Sequence, residues 1–426
     1  MKKIYNLSLM TLGLLLLSPT VSQAQLYIID SNLSPADVNN DGVVTGTKEN
    51  KTTYRWSNND GLYQIGTIAE GSTFMGKPLV GSDRNKIVTY LLNPETNLNE
   101  ITIYDYVTHS KTYLGGINGF SDFSKSSPWG MSEDGTTIVG LGWYNTMVGQ
   151  AIKWTAEDGI VSLTTNNNDS SRANSISNDK SVIAGWQDTP FGFRQGAVWK
   201  NGTQILLTDQ DGLEVNEAGE YVIGLSSTHP YIWNEQTGII YIDHPSAGNF
   251  FRGGATGISF DGSKVVGYYR GWPGGAAFGE GFIWTPTEGR TELNAYADSL
   301  GIDTQGLTLS LPLAISPDGT KIVGIGRDAN YSLYGFMLDL TNYLNTNNAT
   351  ELKNKVSIYP NPVADVLNIS GIKTEAKIEI TNILGQKVKS ENIKNGKVNV
   401  QNLNKGTYVI SITENGNVTN LKFIKK

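Results

Sequence analysis

Flat aromatic rings and guanidinium groups recur shortly after a Val-Gly-like pair along this chain: Trp143 and Tyr144, Trp186, Tyr268, Tyr269 and Arg270 with Trp272, and Arg327. Such groups can stack on sugar rings or anchor a protein partner, since aromatics and Arg are favoured where one surface grips another. The expected ligand-binding residues are therefore Trp143, Tyr144, Trp186, Tyr269, Arg270, Trp272 and Arg327. The competing reading packs them between structural units or over loop bases.

Other chemistry is thinly represented. With no Cys in 426 residues there are no disulfides, no thiolate metal sites and no cysteine nucleophile. His109, His229 and His244 lack metal-binding spacing. Asp37-Val-Asn39-Asn-Asp41-Gly42 begins like a calcium loop, but Lys48 stands where a bidentate Glu is required, so a hairpin is the better reading. No GxSxG elbow, P-loop or GxGxxG occurs. No metal and no cofactor are expected. Paired carboxylates for glycoside hydrolysis stay open; Glu280 and Asp188 are the acids least explained by turns.

The elements that must hold these residues come from an internal repeat. One phrase returns as Met131-Ser-Glu-Asp-Gly-Thr-Thr-Ile-Val-Gly140, Ile176-Ser-Asn-Asp-Lys-Ser-Val-Ile-Ala-Gly185, Val215-Asn-Glu-Ala-Gly-Glu-Tyr-Val-Ile-Gly224, Ile258-Ser-Phe-Asp-Gly-Ser-Lys-Val-Val-Gly267 and Ile315-Ser-Pro-Asp-Gly-Thr-Lys-Ile-Val-Gly324. Weaker copies start at Val38 and Gly81, and the spacing is roughly 40 to 57 residues. Each copy continues into an apolar pair ending on an aromatic, and five of the nine Trp (Trp56, Trp154, Trp199, Trp233, Trp284) fill that slot. Asp-Gly between apolar runs signals a tight hairpin. Four short strands per unit at this period predict an all-β fold, a β-propeller of about seven blades. An open β-solenoid is the rival, though its rungs are usually shorter. The last copy lacks a fourth strand, and Leu26-Tyr-Ile-Ile29 is unassigned, so pairing these ends would close the ring and hide its edges. The phrase resembles HAF-type extracellular repeats of exported bacterial proteins, departing from them at Tyr104; the resemblance implies a fold more than an activity.

Residues 1–24 have the basic, apolar and small-residue parts of a secretory signal peptide, with cleavage expected after Ala24; as an uncleaved anchor the apolar run falls short of the roughly 20 residues that span a bilayer. Residues 25–350 carry 19 Lys and Arg against 34 Asp and Glu, whereas 351–426 carry 12 Lys against 6 acids. Net acidity, −7 overall, argues against nucleic acid or an anionic membrane as partner. A polar linker is expected at 341–352, between a propeller at 25–340 and a second domain at 353–426. Alternating apolar residues there predict a small immunoglobulin-like β-sandwich. Tyr359-Pro-Asn-Pro, the Asn-Ile-Leu-Gly-Gln hairpin, Lys405-Gly-Thr-Tyr408 and a basic final strand, in that order, closely resemble the type A C-terminal sorting domain of the type IX secretion system. That resemblance implies contact with the type IX machinery, outer-membrane passage, and surface attachment or release.

Three roles follow as expectations: a non-enzymatic exported propeller binding a glycan or surface protein through its aromatic rim; a secreted polysaccharide-degrading hydrolase or lyase with carboxylates in the propeller mouth; or a structural part of a matrix or surface layer.

Overall fold

A computed structural model describes residues 25–164, 168–207, 211–341, 357–359, 363–370, 375–382, 386–394, 396–414 and 417–426. The expected leader and nearly all of the expected linker fall outside these residues, as do parts of the Tyr359-Pro-Asn-Pro and Asn-Ile-Leu-Gly-Gln motifs. The chain forms two compact units, Met1–Asn342 and Tyr343–Lys426.

Seven four-stranded antiparallel sheets make up the first unit, one per copy of the repeat. In blades one to six the strands follow chain order from the inside outwards. Blade seven contributes three, and its outer strand is Gln25–Ser31, paired antiparallel to Leu333–Asp339 with Leu26 opposite Leu338. That is the ring closure expected from the unassigned first strand. A short helix, Leu293–Ser299, which the strand pattern did not signal, accounts for the longest repeat interval and buries Leu293 and Ala297.

The tryptophan slot is one structural position. Trp56, Trp154, Trp199, Trp233 and Trp284 lie on third strands opposite Val44, Ile138, Ile183, Val222 and Val265 in turn; Tyr104 and Leu338 face Ile87 and Ile322 likewise. Packing across blades completes the core: Val182, Ala184 and Val198 of blade four meet Val215, Val222 and Tyr231 of blade five. Burying each Val stabilises the ring by about 1.5–3 kcal/mol before entropy is counted.

The recurring Ser is buried because its hydroxyl caps its own turn. Ser132, Ser177, Ser259 and Ser316 accept the backbone N–H five residues on at 3.1, 3.1, 3.0 and 2.9 Å. Gly135, Gly262 and Gly319 supply the positive φ, and in blade four Lys180 takes it instead at 65°. Asp37 to Gly42 forms the same turn, with Asn39 Oδ1 accepting from Asp41 and Val43. These turns join into a belt with a hydrogen bond at each of the seven junctions. Running round the ring they are Asn39 to Gly81, Ser82 to Glu133, Glu133 to Asn178, Asn178 to Glu217, Asn216 to Phe260, Phe260 to Pro317, and Asp318 back to Asn40, all between 2.7 and 3.0 Å.

The second unit is a three-stranded sheet (Ser357–Tyr359, Val366–Ser370, Lys397–Asn399) and a four-stranded one (Ala376–Asn382, Lys387–Ile393, Gly406–Glu414, Asn417–Lys425). Leu367, Ile369 and Val398 from the former share a core with Ile378, Ile380, Ile410 and Phe423 from the latter. Alternation of apolar and polar residues dictates that pairing of faces.

Candidate functional site

The inner strands line a central channel. Six of them slip register, as between Pro128 and Gly130 or Ala173 and Ser175. Such bulges re-aim side chains, and Ala36, Trp129 and Asn174, which sit at three of them, line the channel. The recurring Gly faces the bulge: a Cβ on Gly185 would lie 2.0 Å from the Arg172 carbonyl oxygen. Lys77 of blade two and Glu214 of blade five form an ion pair across this space.

At the mouth ringed by the turn belt stand Asp37, Glu133 and Glu217. Asp37 accepts the Val38 and Val80 N–H groups at 2.9 Å, yet burial pushes its carboxyl up to about 6. Burial, then like charge, pushes Glu133 up to about 7 and Glu217 up to about 8. Asn178 Nδ2 donates to Glu217 Oε2 at 3.2 Å. Among the described residues no three His, Asp or Glu side chains gather to hold a metal ion.

The opposite face carries the loops between second and third strands and those between blades, and its surface is different. Phe191 (87% exposed), Met147 (84%) and Phe250 (80%) project there, with Phe193, Phe278 and Tyr331. The Phe278 and Tyr331 rings lie 6.3 Å apart. Beneath them, guanidinium groups stack on indoles. Arg172 lies 3.4 Å from the Trp129 ring and 5.4 Å from Trp186, and Arg194 lies 3.8 Å from Trp186. Arg252 and Arg270, directly opposite one another on neighbouring strands, lie 4.3 and 4.7 Å from Trp272.

The residues expected from sequence distribute as follows. Trp272 is 44% exposed and sits with Arg270; Arg327 donates to the Gly279 carbonyl at 2.7 Å, beside Phe278. Trp186 is buried between its two arginines, while Trp143 and Tyr144 are half-buried on blade three. Tyr269 is buried, its hydroxyl donating to the Ile242 carbonyl at 2.6 Å. Of the two singled-out acids, Glu280 lies 3.4 Å from His244 and Asp188 lies 3.9 Å from Arg194. Sequence reasoning missed Trp129, Arg172, Arg194 and Arg252. The signal was available in the hairpin register, which sets Arg172 opposite Trp186 and Arg194 opposite Asp188.

Residues 357–426 match the family model of the secretion system C-terminal sorting domain. No curated protein sequence matches the chain. Among solved structures, the β-propeller domain of the Trilobed protease from Pyrococcus furiosus is similar, at 14% identity over 73% of this chain and 96% of that one, with a TM-score of 0.47. Hydrazine synthase of Kuenenia stuttgartiensis aligns at 11% identity, 76% and 99% coverage and a TM-score of 0.45. A chain of the mitotic checkpoint complex aligns at 12%, 79% and 99%, and 0.46. The sheets above and the matched tail together make this a β-propeller protein carrying a type IX secretion sorting domain, exported to the cell surface or beyond it.

Proposed function

We propose that this is an exported, non-catalytic binding propeller of HAF-type repeats that captures a glycan on its loop face and is delivered by its sorting domain. The observation that carries the reading is the asymmetry between faces: exposed aromatics and Arg–Trp stacks crowd the loop side, while the turn side is a belt of inter-blade hydrogen bonds around a mouth lined by acids. Rings at a rigid loop base lose little entropy on binding and present wide apolar faces, which suits sugar stacking. A glycan array probed with the whole protein, followed by a reducing-end assay on each hit, tests it. Retention without new ends supports the reading, and turnover defeats it. If no glycan is retained but a surface-protein extract is, the protein-partner version replaces it.

The enzymatic reading keeps one supporting observation. Glu133 and Glu217 stand at a channel mouth with carboxyls pushed up to about 7 and about 8, the environment a general acid needs. Against it, the Glu217 carboxyl is already engaged, with Oε2 accepting from Asn178 Nδ2 at 3.2 Å. Glu217→Gln should leave ligand retention unchanged if the propeller only binds.

A further inference from the structure

Within a propeller whose acids outnumber its bases, four arginines on the loop face have no carboxylate within ion-pairing distance among the described residues: Arg172, Arg252, Arg270 and Arg327. Arg194 reaches Asp188 and Asp211 only at 3.9 and 3.8 Å. Like charges are also brought together. Arg252 faces Arg270 across one strand pair, where two cations ordinarily repel, and Arg172 and Arg194 flank one indole. Among the described residues, the Nε atoms of Arg252 and Arg270 and the Nε1 of Trp186 are buried without a hydrogen-bond partner. Their remaining guanidinium contacts are backbone carbonyls or, for Arg172, the Asn174 side chain at 2.7 Å.

We infer that the loop face recognises an anionic polysaccharide of the uronate class, its carboxylates taken by the Arg252–Arg270 and Arg172–Arg194 pairs and its sugar faces by Trp272 and neighbouring rings. The inference rests on the glycan-binding reading and narrows it. A guanidinium seated over an indole can still offer N–H donors to a carboxylate, while an adjoining ring offers the sugar an apolar plane. A neutral sugar could use only the second contact. An anion bridging two guanidiniums relieves their mutual repulsion, so the gain from charge exceeds that of a single surface pair. The acidic remainder of the propeller repels polyanions at long range, so capture depends on these residues and not on net charge.

The full chain is run by affinity electrophoresis through gels containing polygalacturonate, fully methyl-esterified polygalacturonate, a neutral β-glucan or polyglutamate. The expected result is retardation by polygalacturonate, at least tenfold weaker with the ester or glucan, and weak with polyglutamate. The double variant Arg252→Gln, Arg270→Gln should lose at least tenfold, and Arg252→Lys, Arg270→Lys should recover part of it; unchanged thermal melts show that each variant is folded. Equal retardation by ester and acid overturns the uronate inference and leaves glycan binding standing. Equal retardation by polyglutamate overturns it as charge capture alone, and no retardation by any of the three polysaccharides overturns both.

Discussion

Lys77 and Glu214 reach each other across the axis of the ring, tying blade two to blade five although 137 residues separate them. The bridge crosses the central space lined by the inner strands. Replacing Lys77 by Met strands the Glu214 carboxylate and removes the positive charge that holds Asp37 down. Because both side chains keep about a quarter of their surface in water (27% and 21%), urea unfolding should register a loss of only about 1 kcal/mol. Adding Glu214→Gln to that variant should restore most of it, and a double variant no better than the single would show that the pair matters only for packing.

Acidity should stabilise the propeller over part of the pH scale. Asp37, Glu133 and Glu217 are raised to about 6, about 7 and about 8, with burial the leading cause for each. The native state therefore holds protons that the unfolded chain has released. Their contribution is fully present below the unfolded carboxylate pKa near 4 and is lost as pH climbs through 6 to 8. Acids such as Asp134 and Asp318 are shifted the other way and matter only below that window. Melting at pH 5.5 should exceed that at pH 8.5 by on the order of 5 °C, and Glu217→Gln should flatten the difference. A melting point rising with pH over this range would contradict the arrangement.

Trp199 and Trp272 should separate folding from recognition. The first fills a buried slot against Ala173, Ile183 and Ala197, so Trp199→Ala should cost about 3–5 kcal/mol in denaturant unfolding. The second is half-exposed beneath Arg252 and Arg270. Trp272→Ala should shift stability by about 0.5 kcal/mol or less while reducing ligand retention severalfold in the gels. Equal destabilisation by both would place Trp272 in the core.

Asn178 joins three blades through one side chain and its backbone, receiving Glu133 N–H at 3.0 Å and giving its Nδ2 to Glu217 at 3.2 Å. Asn178→Ala should cost about 1 kcal/mol, because the Glu133 N–H loses its acceptor at a part-buried junction. Asn178→Asp restores an acceptor but adds charge beside two carboxyls, and should grow worse as pH rises. Hydrogen exchange at the Glu133 amide reports the break directly.

Much of the architecture was legible because each repeat states its own geometry. Asp-Gly pairs fix hairpins, Ser fixes the turn's internal bond, and the Trp slot fixes which strand faces a neighbour. The spare strand at Leu26 told how the circle ends. The site was less legible. Phe191 and Phe193 stand in a Pro- and Gly-containing loop outside the phrase, so no period points to them. Arg172 meets Trp129 only because neighbouring blades converge at the axis, and nothing in linear spacing anticipates the partnership of Lys77 with Glu214. Glu133 and Glu217 lie within the repeated turn phrase, and burial followed by like charge, both invisible in sequence, sets their acidity.

The strand Gln25–Ser31 is the outermost ribbon of the blade built from 308–339. The first strand of the ring thus pairs with its last, and some three hundred residues of the propeller separate the two halves of the clasp. Without that clasp the seven sheets would form an arc with two unpaired edges; with it, a translocation route meets a closed wheel in place of a string of hairpins.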